Sequence, residues 1–146
     1  MKQIYILGAS GLIGSALMNN LELKNKYVIG TYSKNKNKNL QYFDLNNDNY
    51  SIFNNIKNTD VVFIMSAYSN PNWIYQNQKE AKNLNFTKTI NLINFLKSKN
   101  PKIVFMSSVE VFDGIKGSYT EEDMPKPLNF YGKLKFDIEK YLETEY

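Results

Sequence analysis

An α/β fold, a doubly wound parallel sheet with strand order 3-2-1-4-5, follows from three observations on this chain. A short apolar strand at 4–7 runs into glycines spaced three apart, Gly8, Gly11 and Gly14, and then into a helical pattern. The stretches at 4–7, 61–65 and 103–106 are unbroken apolar runs rather than alternating ones, as strands covered on both faces require. Strand and helix patterns alternate along the chain with no internal repeat or linker, and right-handed crossovers then leave few topologies.

Each element has its reason. Gly8 permits a tight turn off the first strand, Gly11 lets a backbone approach a pyrophosphate, and Gly14 lets the new helix pack close to the strand. The spacing is G-x-x-G-x-x-G, not the G-x-G-x-x-G of many dehydrogenases. The helix that follows carries Ile13, Ala16, Leu17 and Leu21 at helical spacing, and its N-terminus directs N–H groups and partial positive charge at phosphates. Strand two is read over 27–31, and strand three over 40–43, ending at Asp44. A weaker helix with Tyr50, Phe53 and Ile56 on one side leads to strand four. The stretch 73–97 reads as mostly helical, with Leu84, Thr87, Asn91 and Phe95 on one side and Ile90, Ile93 and Leu96 as its apolar face. After strand five, a turn-rich segment with Gly114, Gly117, Pro125 and Pro127 precedes a final amphipathic helix over 129–146.

This is a Rossmann-like dinucleotide-binding arrangement, with residues 1–146 as a single domain. Strand five has the composition of an interior strand, yet nothing after the last helix could pair with its outer edge. The chain is therefore expected to be the N-terminal portion of a larger fold, lacking C-terminal strands and a substrate domain, or to have that edge covered by a partner.

Composition narrows the chemistry. With 42% hydrophobic residues and no long apolar run, the chain is expected to be soluble and cytoplasmic, with no membrane span. The first strand begins at once, so no signal peptide is expected. There is no cysteine and no histidine, so thiolate chemistry, disulfides and the commonest base and metal ligand are missing, and no metal site is expected. Catalysis must then use Ser, Tyr, Lys, Asp or Glu. The net charge of +4 could serve nucleic acid, but no basic stripe with interleaved aromatics is present. The excess reads as general Lys/Asn composition, as in residues 34–39, and no nucleic-acid partner is expected.

Tyr131 and Lys135 stand four apart at the start of the last helix and so share one face. A phenol with a pKa near ~10 is protonated at neutral pH. A lysine cation beside it, with a positively charged nicotinamide ring, stabilises the phenolate, and Tyr131 could exchange a proton with a carbinol oxygen. Ser107-Ser108 follow strand five, where loops line the ligand crevice of such sheets. A hydroxyl there can steady a carbonyl oxygen as it gains charge.

The ordered set resembles the extended short-chain dehydrogenase/reductase family and, more narrowly, its dTDP-4-dehydrorhamnose reductase group. That group has a Ser-Thr-Asp-Tyr-Val-Phe-Asp-Gly run where this chain reads Ser107-Ser108-Val109-Glu110-Val111-Phe112-Asp113-Gly114. Tyr119-Thr120-Glu121-Glu122-Asp123, Pro125, Pro127-Leu128-Asn129 and Tyr131-Gly132 also follow the group's pattern. The resemblance implies a catalytic set of Ser108, Tyr131 and Lys135, with Tyr131 as proton donor and Lys135 lowering its pKa and holding the nicotinamide ribose. It implies cofactor contacts from Asp44-Leu45, Ser66-Ala67-Tyr68 and Asn85, besides Gly8, Ser10, Gly11, Leu12, Ile13 and Gly14 of the opening turn, Tyr32 and Ser33 after strand two, and Tyr131 and Lys135 themselves. Val109 and Glu110 replace an Asp and a Tyr of the group, and Leu134 replaces a serine.

An NAD site places an acid at the end of strand two; here the run is Thr31-Tyr32-Ser33-Lys34, which leans toward NADP while leaving NAD open. The resemblance implies an NAD(P)-dependent reductase of a nucleotide-linked 4-keto-deoxy sugar. Two alternatives share the motifs. One is a sugar-nucleotide epimerase or dehydratase, for which Glu110 is a candidate extra acid. The other is a non-catalytic dinucleotide-binding or regulatory subunit, since the same group resembles the regulatory subunit of methionine adenosyltransferase. The resemblance also allows a homodimer built through the segments 73–97 and 129–146.

Overall fold

Apolar runs at the predicted positions form the sheet of a computed structural model that describes residues 2–24 and 26–146. The five strands are β1 (Gln3–Leu7), β2 (Tyr27–Tyr32), β3 (Gln41–Tyr42), β4 (Val61–Ile64) and β5 (Lys102–Phe105). All pair in parallel in the order β3-β2-β1-β4-β5. The register sets Tyr5 beside Ile29 and Val62, and Val62 beside Ile103. Asp60, buried just before β4, accepts from the Gln3 N–H (2.9 Å) and the Lys57 N–H (2.8 Å), which pins the starts of β1 and β4 together.

The helices are α1 (Leu12–Leu23), α2 (Pro71–Gln76), α3 (Gln78–Lys82), α4 (Lys88–Lys97) and α5 (Phe130–Glu145), with a π-helical turn at Asn83–Thr87 between α3 and α4. Among the described residues no helix is long and apolar enough to cross a membrane.

The chain divides into two compact units, one formed by the stretch through Ala67 together with Asn91–Met106, the other by Tyr68–Ile90 and Ser107–Tyr146. In the first, alternation along β1 feeds both faces of the sheet. Ile4 and Ile6 pack with Ala9 and Met18, joined by Leu17, Leu21, Val28 and Leu40. Tyr5 points the other way onto Phe53 (ring centroids 5.3 Å), which also meets Phe43 edge-on at 5.7 Å. In the second unit, α5 packs on α2, α3, the π turn and a 3-10 turn at Val109–Val111. Its buried side chains include Ile74, Ala81, Val111, Leu134 and Ile138.

Several expectations are corrected. Strand three is only Gln41–Tyr42, and both residues are exposed. The weak helix around 50–56 is a single 3-10 turn, Ser51–Phe53, preceded by another at Leu45–Asn47, because Asx side chains cap the backbone every few residues. The buried face of α1 is Gly14, Leu17, Met18 and Leu21 rather than the stripe with Ile13 and Ala16; both of these are exposed. Gly14 decides this rotation, since a Cβ there would lie 2.3 Å from the Gly8 carbonyl oxygen. The stretch 73–97 breaks at Asn77 (φ −128°, ψ 51°), whose Nδ2 donates to the Trp73 carbonyl at 2.9 Å.

Candidate functional site

The opening turn is built by its glycines. Gly8 has φ +88°, a conformation that L side chains avoid, and a Cβ there would meet the Ser66 backbone N at 3.1 Å. The Gly11 N–H donates to the Gly8 carbonyl (3.0 Å), and Gly11 is the N-cap of α1 with no side chain to cap it. Ser10, Gly11, Leu12 and Ile13 are all exposed around this uncapped helix start, Leu12 at 89%. The Gly8 N–H donates to the Thr31 hydroxyl (3.2 Å) and the Ser10 N–H to the Thr31 carbonyl (3.3 Å), so the end of β2 braces the turn. Thr31 is a support that sequence reading passed over, although a hydroxyl at the end of β2 was the available signal.

The other cofactor candidates of this unit have definite surroundings. The Ser66 hydroxyl is buried and has no hydrogen-bond partner among the described residues, while Ala67 is exposed. Tyr32 sits edge-on to Tyr42 (5.7 Å), and Ser33 is exposed beyond β2. The Asp44 carboxylate accepts from the N–H and Nδ2 of Asn46, both at 3.0 Å, so it caps its own turn, with Leu45 half-buried beside it.

In the second unit Asn85, only 4% exposed on the π turn, pairs its whole amide with the backbone of one residue. The Tyr68 N–H donates to its Oδ1 and its Nδ2 donates to the Tyr68 carbonyl, each at 2.8 Å. Tyr68 also packs against Trp73, with ring centroids 4.3 Å apart and the planes tilted by 51°. π turns displace the helical phase by one residue and concentrate at functional sites; here the displacement aims Asn85 inward.

Ser108, Tyr131 and Glu110 line one cavity of about 510 Å³, together with Ser69, Asn72, Ile74, Tyr75, Asn129 and Phe130. Ser108 caps the 3-10 turn, its hydroxyl accepting from the Glu110 N–H at 3.2 Å. Asn129 caps α5 by accepting from the Gly132 N–H at 2.8 Å. Lys135 lies one turn beyond Tyr131, with its Nζ 5.6 Å from the ring centroid and only 3% of the residue exposed. Burial brings the Lys135 ammonium down to about 8, partly countered by Glu139. The Tyr131 phenol is raised, first by burial and then by the charge of Glu110. The expectation of a phenol lowered by Lys135 concerns the site with a nicotinamide ring bound; in the structure as it stands, burial and the Glu110 carboxylate set the direction. Leu134, in place of the group's serine, is a core residue. Sequence reading missed Tyr75 and Phe130 as cavity walls, for want of any pattern that distinguishes them from surface and core aromatics.

A parallel sheet that opens on a glycine turn, a serine after its fifth strand and a Tyr-x-x-x-Lys pair on the next helix together define the short-chain dehydrogenase/reductase class. Within that class the chain belongs to the RmlD substrate binding domain family, whose model matches residues 1–146. It is 30% identical over 141 residues to the methionine adenosyltransferase 2 subunit beta of Rattus norvegicus, covering 95% of this chain and 42% of that protein. The chain thus spans less than half the length of the curated relatives it matches. Among solved structures it is similar to a hypothetical dTDP-4-dehydrorhamnose reductase from Sulfolobus tokodaii (27% identity, TM-score 0.82, 97% of this chain and 51% of that one). It is also similar to MoeE5 in complex with UDP-glucose and NAD (25% identity, TM-score 0.80, 94% and 47%).

Proposed function

We propose that residues 1–146 are the nicotinamide-dinucleotide-binding part of a reductase acting on a nucleotide-linked 4-keto-deoxy sugar. The observation that carries this reading is the shared cavity of Ser108 and Tyr131, with Lys135 buried one helical turn behind the phenol. The opening turn suits a dinucleotide diphosphate: its helix start lacks a side-chain cap, its glycines leave no Cβ in the approach, and the Ser66 hydroxyl beside Gly8 is buried without a partner. Gly8, Ser10, Gly11, Leu12, Ile13, Gly14 and Ser66 would hold it, and the bound dinucleotide would supply the hydride.

The residues of the cavity then have defined tasks. The Ser108 hydroxyl hydrogen-bonds the keto oxygen as it gains charge. Tyr131 gives its phenolic proton to that oxygen, so that the carbonyl becomes a carbinol, and recovers a proton from solvent. Lys135, positively charged over most of the neutral range, stabilises the phenolate left behind. The absence of an acid in Thr31-Tyr32-Ser33-Lys34 favours NADP over NAD. The test is NAD(P)H oxidation by the purified full-length protein against a panel of nucleotide-linked keto sugars; no oxidation with any of them sinks the proposal.

A second reading has its own support, because the curated relatives bear the name of a subunit rather than of a reductase. Under it the fold binds dinucleotide and turns nothing over. Calorimetric binding of NADPH with no turnover of any keto sugar would decide for this reading. Tightly retained dinucleotide that interconverts sugars without net consumption would instead indicate an epimerase.

A further inference from the structure

We propose that Glu110 is a positioning residue whose carboxylate latches the cap of α5, and thereby sets the spacing between the Ser108 hydroxyl and the Tyr131 phenol. The proposal rests on the reading of those two groups as the reacting pair.

Asn129 has an amide with two ends, and both are engaged. Its oxygen accepts from the Gly132 N–H at 2.8 Å, which caps the helix. Its Nδ2 donates to Oε2 of Glu110. An asparagine cap ordinarily leaves its NH2 to water, and an amide so placed can rotate end for end. Here rotation would set oxygen against carboxylate and NH2 against the Gly132 N–H, so Glu110 fixes the sense of the cap. Tyr131 is the second residue of the helix that this cap begins.

Glu110 is also tied to Ser108, two residues before it. Its N–H donates to the Ser108 hydroxyl (3.2 Å), and the Val111 carbonyl that closes the same turn accepts from the Lys126 N–H at 2.8 Å. The backbones of turn and helix touch directly: a Cβ on Gly132 would lie 2.1 Å from the Glu110 carbonyl oxygen. One short turn therefore carries the hydroxyl, one helix start carries the phenol, and the Glu110–Asn129 bond closes the bracket between them. The group's tyrosine at position 110 has no carboxylate to make this bond.

The experiment compares Glu110→Gln, Glu110→Ala, Asn129→Ser and the double variant Glu110→Ala/Asn129→Ser in the full-length protein. Glutamine still offers an oxygen to Nδ2, and serine still caps the helix without reaching Glu110. Expected are a fall in kcat of about tenfold for Glu110→Ala and for Asn129→Ser, with KM and melting temperature little changed. The double variant should be no slower than either single one, and Glu110→Gln should recover most of the rate. The Tyr131 ring resonances in selectively labelled protein should move in Glu110→Ala and Asn129→Ser and stay in place in Glu110→Gln. Multiplying losses, an unchanged rate in Glu110→Ala, or equal damage from glutamine and alanine would overturn the latch. A wild-type protein that turns over nothing, yet shows the expected pattern of ring resonances, would sink the reductase reading and leave the positioning intact.

Discussion

Lys135 is a cation held almost out of water, and its ionisation links the site to stability. Its folded value of about 8 lies below the ordinary 10.5. Below pH 8 both states carry the proton and the folded state bears the whole cost of burying it. Between 8 and 10.5 the unfolded chain binds the proton more, so this group makes stability rise with pH. Lys135→Met is therefore expected to raise the free energy of unfolding at pH 7 by up to about 3 kcal/mol, and with it the melting temperature, and its advantage should shrink from pH 8 to 10.5. Thermal unfolding of both proteins across that range checks the slope. Tyr131→Phe keeps the ring and removes the proton, and should lower kcat by about a hundredfold or more while NADPH still binds. Ser33→Asp supplies the missing acid after β2 and should shift preference toward NADH by about tenfold, read as the ratio of the two dissociation constants. The pairing of Tyr131 with Lys135 was legible because i, i+4 spacing is a property of any helix. Their ionisation was not, since it depends first on burial by segments distant in sequence and, for Tyr131, on the charge of Glu110.

At the level of elements, glycines choose which helix faces meet their neighbours. Gly14→Ala places a methyl against the Gly8 carbonyl, and the backbone atoms it meets cannot swing aside. An overpacking loss of about 1–3 kcal/mol in denaturant unfolding is expected, together with weaker dinucleotide binding. The sequence periodicity found the helix but misjudged its buried face, because hydropathy ranks Ile13 above the glycine that makes the close contact. The same limit applies to 73–97. Apolar spacing marks a helical stretch there, yet the break at Asn77 and the π turn at Asn83–Thr87 come from side-chain amides bonding to backbone. Asn85→Ala removes both bonds to the Tyr68 backbone and should cost about 1–3 kcal/mol, with faster amide exchange at Tyr68 as its signature. Strand order was readable in full, since runs such as 61–64 admit little but an interior parallel strand.

For the whole molecule, the family relation covers every residue of the chain but under half of each curated relative. On the proposed reading, residues 1–146 by themselves are expected to show no steady-state turnover of sugar nucleotides, and an assay of NADPH oxidation by this chain checks it. The division into two compact units was not legible beforehand, because it depends on contacts between Tyr68–Ile90 and Ser107–Tyr146, which are remote along the chain. One feature of the second unit bears on how such a scaffold diversifies. Gly132 leans on the main-chain oxygen at position 110 and asks little of the side chain there. A codon change at 110 therefore leaves this main-chain seat in place while it removes the carboxylate that holds Asn129, so the wall of the cavity and the set of the helix start change together.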